Sequence, residues 1–213
     1  MLAHQSDLEN LSSEDYNLGI TMQTLEEYIE QAAVAHGHTC AGQILGLRLA
    51  MLGLKELGID DPITERKRLV TIVEIDRCAT DAVQLVTGCR LGKRALKFKD
   101  FGKVAATFVD LKTGRAVRIV AREESKQRAR ELYPEMDKEQ GQRRAYRELP
   151  DDELFSKQWV RVELPPEELP GYKAPRVVCA QCGEGINFKR EVLRDGRTLC
   201  RACAGDSYYK LVE

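Results

Sequence analysis

Neither sign of charge dominates this sequence: 33 Lys and Arg stand against 34 Asp and Glu, for a formal net charge of -1. The balance removes the global electrostatic pull that a nucleic-acid or anionic-membrane binder relies on, so any such affinity has to be local. A long apolar run is missing as well. Residues 40–57 are the most apolar stretch, yet Arg48, Lys55 and Glu56 interrupt it and it is too short to cross a bilayer. The first residues, Met1-Leu2-Ala3-His4-Gln5-Ser6-Asp7, lack the basic-then-apolar order of a signal peptide, so we expect a cytoplasmic protein without membrane contact. Internal repeats are absent, and histidine is scarce, with three in 213 residues. Two of the three, His36 and His38, stand together.

Length and punctuation suggest two units. We expect an arm over residues 1–22, a core domain over 23–164, a stiff proline-rich linker over 165–172, and a small domain over 173–213. Thr24 with Glu27 three residues on reads as a helix N-cap, and apolar spacing carries that helix to His36-Gly37. A second, largely buried helix runs from about Cys40 to Gly58, with Gly42, Gly46, Ala50 and Gly53 on one face. Glycine inside a helix costs roughly 1 kcal/mol unless close approach rewards it, so this stripe predicts tight packing. Residues 69–75 are rich in branched side chains and read as a strand. A short helix follows over 79–86. Residues 95–99, 104–110 and 115–121 then read as an antiparallel meander turning at Asp100-Phe101-Gly102 and Lys112-Thr113-Gly114. Pro134 splits residues 123–148 into two solvated amphipathic helices, and residues 157–164 return to strand. The fold class expected is α+β, an antiparallel sheet packed with helices, plus a small zinc finger.

The chain has seven cysteines, an odd number, and four of them form Cys179-Ala-Gln-Cys182 and Cys200-Arg-Ala-Cys203. In a protein without an export signal, two such pairs read as metal ligands before disulfides. Each bend presents two sulfurs, and two bends complete the tetrahedral thiolate shell of a structural zinc, leaving no position for substrate. Gly183 suits a zinc knuckle, Asp195-Gly196 suits a hairpin turn, and a helix is expected over 201–211 from the second pair. Together these describe a treble-clef-like finger that needs its metal to fold. Lys189, Arg190, Arg194, Arg197 and Arg201 give it a mildly basic surface, diluted by Glu184, Glu191, Asp195 and Asp206. Nucleic-acid contact is therefore conceivable but not favoured over protein docking.

A second constellation lies in the core. His36-Gly-His38-Thr-Cys40 places imidazole and thiol within five residues of a glycine-containing loop, a combination suited to zinc or another borderline transition metal. Cys40 at a helix N-terminus is expected to have a lowered pKa. Cys78 or Asp81, opening the next helix, could complete the site, whereas Cys89 reads as a core thiol. Gly88-Cys-Arg-Leu-Gly92-Lys93 is one residue short of a phosphate loop and lacks its Ser or Thr.

These residues resemble the FmdE family of formylmethanofuran dehydrogenase proteins. The likeness rests on His36-Gly-His38-Thr-Cys40-Ala-Gly42-Gln-Ile-Leu-Gly46, on Arg77-Cys78-Ala-Thr-Asp81-Ala-Val-Gln84, and on Thr87-Gly-Cys89-Arg-Leu-Gly92-Lys93 with Asp100-Phe-Gly102-Lys103, spanning most of residues 24–120. It implies an α+β core, a treble-clef finger, a homodimer, and association with a molybdenum or tungsten enzyme of carbon dioxide reduction. It also implies His36, His38, Cys40 and Cys78 as candidate catalytic or metal-binding residues. Ala41 departs from the family's proline, which affects rigidity of the helix start more than chemistry. Two functions follow as expectations: a metal-binding accessory or catalytic protein of molybdenum or tungsten redox metabolism, or a non-enzymatic zinc-finger adaptor for nucleic acid or protein.

Overall fold

The computed structural model describes residues 22–65 and 67–212, so all but the last residue of the expected N-terminal arm lies outside the described residues. Helix α1, Leu25–His36, opens on a capping box. The Thr24 hydroxyl accepts from the Glu27 N–H, and the Glu27 carboxylate accepts from the Thr24 N–H at 2.7 Å. Gly37 closes it in the left-handed region at φ 84, satisfying the Ala33 carbonyl. Helix α2, Ala41–Leu57, is buried along most of its length, as its near-encircling apolar residues require.

The core sheet contains β1 (Leu69–Val73), β2 (Leu96–Phe98), β3 (Ala105–Asp110), β4 (Ala116–Ala121) and β5 (Phe155–Val160), in the order β2-β1-β3-β4-β5. Strands β3, β4 and β5 run antiparallel as a meander, and β1 is antiparallel to β3. The expected all-antiparallel pattern fails at one edge. Helix α3, Cys78–Thr87, carries the chain across so that β2 pairs parallel with β1, with Thr71 opposite Leu96. The sheet is therefore mixed. The Asp100-Phe101-Gly102 turn does not join a hairpin but folds onto the end of β1, where Phe101 and Lys103 N–H groups donate to the Glu74 carbonyl.

Helices cover one face of the sheet. Helix α2 lies centrally, against β3 and β4 and against α3, and α5 (Lys138–Glu148) packs on its outer side. Pro134 does separate α5 from α4 (Glu124–Leu132), and α6 (Asp151–Leu154) leads into β5. The pair α4/α5 is not solvated all round, since Ala129, Ala145 and Tyr146 join the main core. Close approach accounts for two of the stripe glycines. A Cβ on Gly53 would meet the Phe108 ring at 2.2 Å, and one on Gly46 would meet the Ala79 carbonyl oxygen at 2.6 Å.

On the opposite face Val70, Val109 and Ala116 form a smaller cluster that Ile72, Val162 and Leu164 cover. The last strand is consequently shorter than expected, because residues 161–165 leave the ladder to lie over that face. Two buried carboxylates are held by arginine forks: Asp110 by Arg68 at 2.7 and 2.8 Å, and Glu74 by Arg118 at 2.6 Å through both oxygens. The linker includes a 3-10 turn at Pro166–Glu168 and is fastened to β2 where Lys97 meets the Glu168 carboxylate at 2.7 Å.

The C-terminal unit consists of two short ladders, β6 (Val177–Val178) with β7 (Gly185–Ile186), and β8 (Val192–Arg194) with β9 (Arg197–Leu199). Asp195 and Gly196 both take positive φ, 51 and 71, and make the tight turn between β8 and β9. No helix forms over 201–211. Gly205 turns left-handed at φ 101, the Asp206 N–H closes back on the Arg201 carbonyl, and Ser207 folds onto Tyr209. The second pair is followed by a single turn, with the Ala204 N–H on the Cys200 carbonyl, in place of the expected helix. Among the described residues, no helix is long and apolar enough to cross a membrane.

Candidate metal centres

The first centre is the finger's. Cys179 and Cys182 occupy the bend after β6, with Gly183 at φ 76 and its N–H on the Cys179 carbonyl. The Ala180 N–H donates to the Thr198 carbonyl and so locks this bend against β9, which delivers Cys200 and Cys203. The four sulfurs all lie within 4.8 Å of one another. The Cys200 and Cys203 N–H groups point at the Cys179 and Cys200 sulfurs, at 3.2 and 3.4 Å. Backbone N–H groups of Cys182 and Cys200 pull the Cys179 thiol down to about 6, whereas the crowding sulfurs, Cys200 foremost, push Cys203 up to about 12. Four clustered thiols cannot all ionise beside one another unless a cation neutralises them. The donor set, its closeness and its N–H···S bonds fit a structural zinc.

The second group lies where α1 ends and α2 begins. His36 is the last residue of α1, the left-handed Gly37 reverses the chain, and Cys40 is the N-cap of α2. The Cys40 sulfur accepts from the Gln43 N–H at 3.4 Å, and the Gln43 side-chain oxygen accepts from the Cys40 N–H at 3.2 Å. This is a capping box in which cysteine takes the place of serine. The Gln43 amide also donates to the Ala32 carbonyl at 3.2 Å, which ties the two helices together beneath the loop.

His36, His38 and Cys40 offer ligand atoms within 4.8 Å of one another, with the imidazole centroids 4.9 Å apart. Cys78, the first residue of α3, is not in that trio but is adjacent. A Cβ on Gly42 would touch both the Cys78 Cβ, at 3.7 Å, and the Cys40 sulfur, at 3.8 Å. Asp81 stands 3.5 Å from His36 Nδ1. His38 and Asp81 are exposed, whereas His36, Cys40 and Cys78 are half-buried.

The expectation of a lowered Cys40 pKa is not met. Burial pushes the thiol up and the neighbouring Cys78 sulfur adds to this, outweighing the N–H groups of Gln43 and Gly42 that favour thiolate. Cys89 is 0% exposed, hydrogen-bonded to Thr71 at 3.5 Å, and likewise pushed up by burial, as a core thiol should be.

Two residues that bear on this loop are not legible in the sequence. The Glu139 carboxylate, on α5, accepts from the Ala41 N–H at 2.7 Å, supplying an acceptor and a negative charge at the start of α2. Arg143, one turn further, reaches the Thr39 carbonyl at 3.3 Å. Both sit about a hundred positions downstream, on a helix whose charged pattern carries no sign of which side chains turn inward. A pocket of about 310 Å³ opens beside the cluster, with His36, Asp81, Gln84 and Arg90 on its wall.

Fold and sites together define an α+β protein with a His/Cys cluster in its core domain and a C4 zinc finger behind it. Residues 35–163 match the family described as FmdE, molybdenum formylmethanofuran dehydrogenase operon, and residues 173–209 match the prokaryotic dksA/traR C4-type zinc finger. The chain belongs to the FmdE family. It is similar to the crystal structure of a tungsten formylmethanofuran dehydrogenase FmdE-like protein from Syntrophus aciditrophicus, with a TM-score of 0.61 and 26% identity. That likeness covers 88% of this chain and 96% of the other. A probable S-adenosyl-L-methionine-binding protein of Archaeoglobus fulgidus is 33% identical over 88% of this chain, which spans only 55% of that protein's length.

Proposed function

We propose that this chain is a metal-binding FmdE-like protein that carries a reactive metal in its core and a structural zinc in its finger. It would act as an accessory or catalytic partner in molybdenum- or tungsten-dependent redox metabolism, as a cytoplasmic homodimer. The observation that carries the reading is the convergence of His36, His38 and Cys40 on one point beside a pocket. Three protein ligands leave a fourth position open, the arrangement of a catalytic rather than a structural zinc site. A borderline metal held by His36, His38 and Cys40 would supply Lewis-acid chemistry there.

The chain's own residues provide the rest. Gln43 holds the Cys40 sulfur in place, and Asp81 orients the His36 ring, as carboxylates commonly do for ligating imidazoles. Glu139 and Arg143 brace the loop from α5. Cys78 is the candidate for a fourth ligand or for a nucleophile beside the metal.

A second reading, an adaptor, is supported by the finger's surface, where Val178, Leu193 and Tyr208 are exposed, as are Arg190, Arg194 and Arg197. Metal analysis separates the two. Two metals per chain are expected, with a His38→Ala/Cys40→Ala variant retaining one. If that variant loses none, the core site is refuted. Salt-sensitive nucleic-acid binding that disappears when Arg190, Arg194 and Arg197 are changed would favour the adaptor.

A further inference from the structure

A cleft of about 630 Å³ lies away from the His/Cys cluster, at the junction between β2, the linker and the finger. Five basic and two acidic side chains line it. Of the acids, Glu168 is already engaged by Lys97 at 2.7 Å, which leaves Glu163. Among the described residues, Arg94, Lys99, Arg190 and Arg201 have no carboxylate within ion-pairing distance. Four unpaired cations thus face one unpaired carboxylate across a concave surface.

Arg94 supplies an independent sign. It follows the 3-10 turn Leu91–Lys93 in a left-handed conformation, φ 59, and its guanidinium lies 4.4 Å from the centroid of the Phe188 ring of the finger. All three guanidinium nitrogens are shut away from solvent, and none has a hydrogen-bond partner. Stacking on an aromatic face satisfies part of the charge but none of the N–H donors. A buried cation without acceptors is strongly disfavoured unless an anion or ordered water meets it. The field is felt by Glu168: its hydrogen bond to Lys97 first, and then the charges of Lys97, Arg94 and Arg190, hold its carboxyl below the ordinary carboxylate value despite burial.

The geometry points to a binding site for a phosphate-bearing small molecule in this cleft, held by Arg94, Lys99, Arg190 and Arg201. An excess of about three positive charges calls for a multiply charged anion rather than a single carboxylate, and planar guanidinium forks match phosphate oxygens in pairs. The cleft's volume is that of a small-molecule site. Its apolar walls, Ile72, Leu164, Pro165 and the exposed rim residues Leu91 and Phe98, suit a ligand with an apolar or aromatic body, such as a nucleotide. Because cations come from both the core and the finger, the ligand would also fasten one to the other. Arg94 lines the cleft and stacks on Phe188 of the finger, so ligand binding there would be linked to the seating of the finger.

Calorimetric titration of the full zinc-loaded chain with pyrophosphate, ADP, adenosine and a single-stranded oligonucleotide tests this. Pyrophosphate and ADP should bind saturably and adenosine at least about tenfold more weakly. Arg94→Gln should weaken both phosphate ligands by about tenfold or more. Since Arg94 is no part of the His/Cys cluster, that variant separates the cleft from any phosphate contact with a core metal. Should Arg94→Gln misfold, judged by circular dichroism and zinc content, the exposed pair Arg190→Gln/Arg201→Gln is expected to give the same loss. The proposal is overturned if neither phosphate ligand binds, if the variants bind as wild type does, if adenosine matches ADP, or if only the oligonucleotide binds.

Discussion

Adding one methyl group at Gly46 should loosen the packing that sets the two core cysteines side by side. A Cβ built there lies 2.6 Å from the Ala79 carbonyl oxygen, 2.7 Å from the Ala79 Cα and 2.9 Å from the Ala82 Cβ. Carbon atoms settle at about 3.5–4.0 Å, so α3 has to retreat by roughly 1 Å. Two of the three opposing atoms are backbone and cannot rotate aside. Overpacking of this kind costs about 1–3 kcal/mol, offset by up to roughly 1 kcal/mol of improved helix propensity. With rigid neighbours we expect a net loss of about 2 kcal/mol, or a fall in Tm of about 4–8 °C for a chain of this length.

Cys78 opens the helix that must move, and Gly42, one turn from Gly46, lies against both Cys78 and Cys40. Gly46→Ala should therefore also lower occupancy of the core metal while leaving the finger's zinc in place. Urea denaturation followed by circular dichroism, together with metal analysis, gives both readouts. The control is Gly92→Ala, where a Cβ meets nothing within 4 Å. It should be neutral or slightly stabilising. A Gly46→Ala protein as stable as wild type, with unchanged metal content, would refute the close α2–α3 approach and the reasoning built on it.

Asp110 is 1% exposed, and the Arg68 fork holds its carboxyl well below the usual carboxylate range. The resulting stability is complete above the unfolded pKa of about 4 and disappears as pH falls below it. Asp110→Asn should cost about 3 kcal/mol at neutral pH and flatten the acid limb of a stability–pH curve. An unchanged acid limb would argue against the pair. Cys200→Ser, or treatment with a strong chelator, should unfold the finger and leave the core's helical circular dichroism intact, because the finger's own core is only Cys179, Ile186 and Leu199. Coincident loss of both signals would contradict this. Thr24→Ala removes the α1 capping box and should cost about 1 kcal/mol, with fraying of α1 measurable by amide hydrogen exchange. No change in exchange at Glu27 would count against it.

What the sequence by itself determined was local. The Thr24/Glu27 cap, the glycine stop at Gly58, the hairpin turn at Asp195-Gly196 and the CxxC spacing each follow from chemistry within a few residues, and each is found where that chemistry puts it. The His36-Gly-His38-Thr-Cys40 cluster was legible for the same reason, since a single left-handed glycine suffices to fold it together.

Tertiary structure decided what spacing cannot encode. Whether β2 pairs with the strand after it or with β1 depends on where α3 packs, not on the turn that follows, so the sheet is mixed. The finger's missing helix reflects the left-handed Gly205 and the Ser207–Tyr209 turn overriding a weak helical pattern. Burial reversed the expected pKa of Cys40, because dehydration of a thiolate outweighs a few oriented N–H groups. Glu139 and Arg143 reached the core loop, and Arg94 reached Phe188, across long stretches of chain. Charges on amphipathic surfaces look alike in sequence, and only packing selects which of them faces a site.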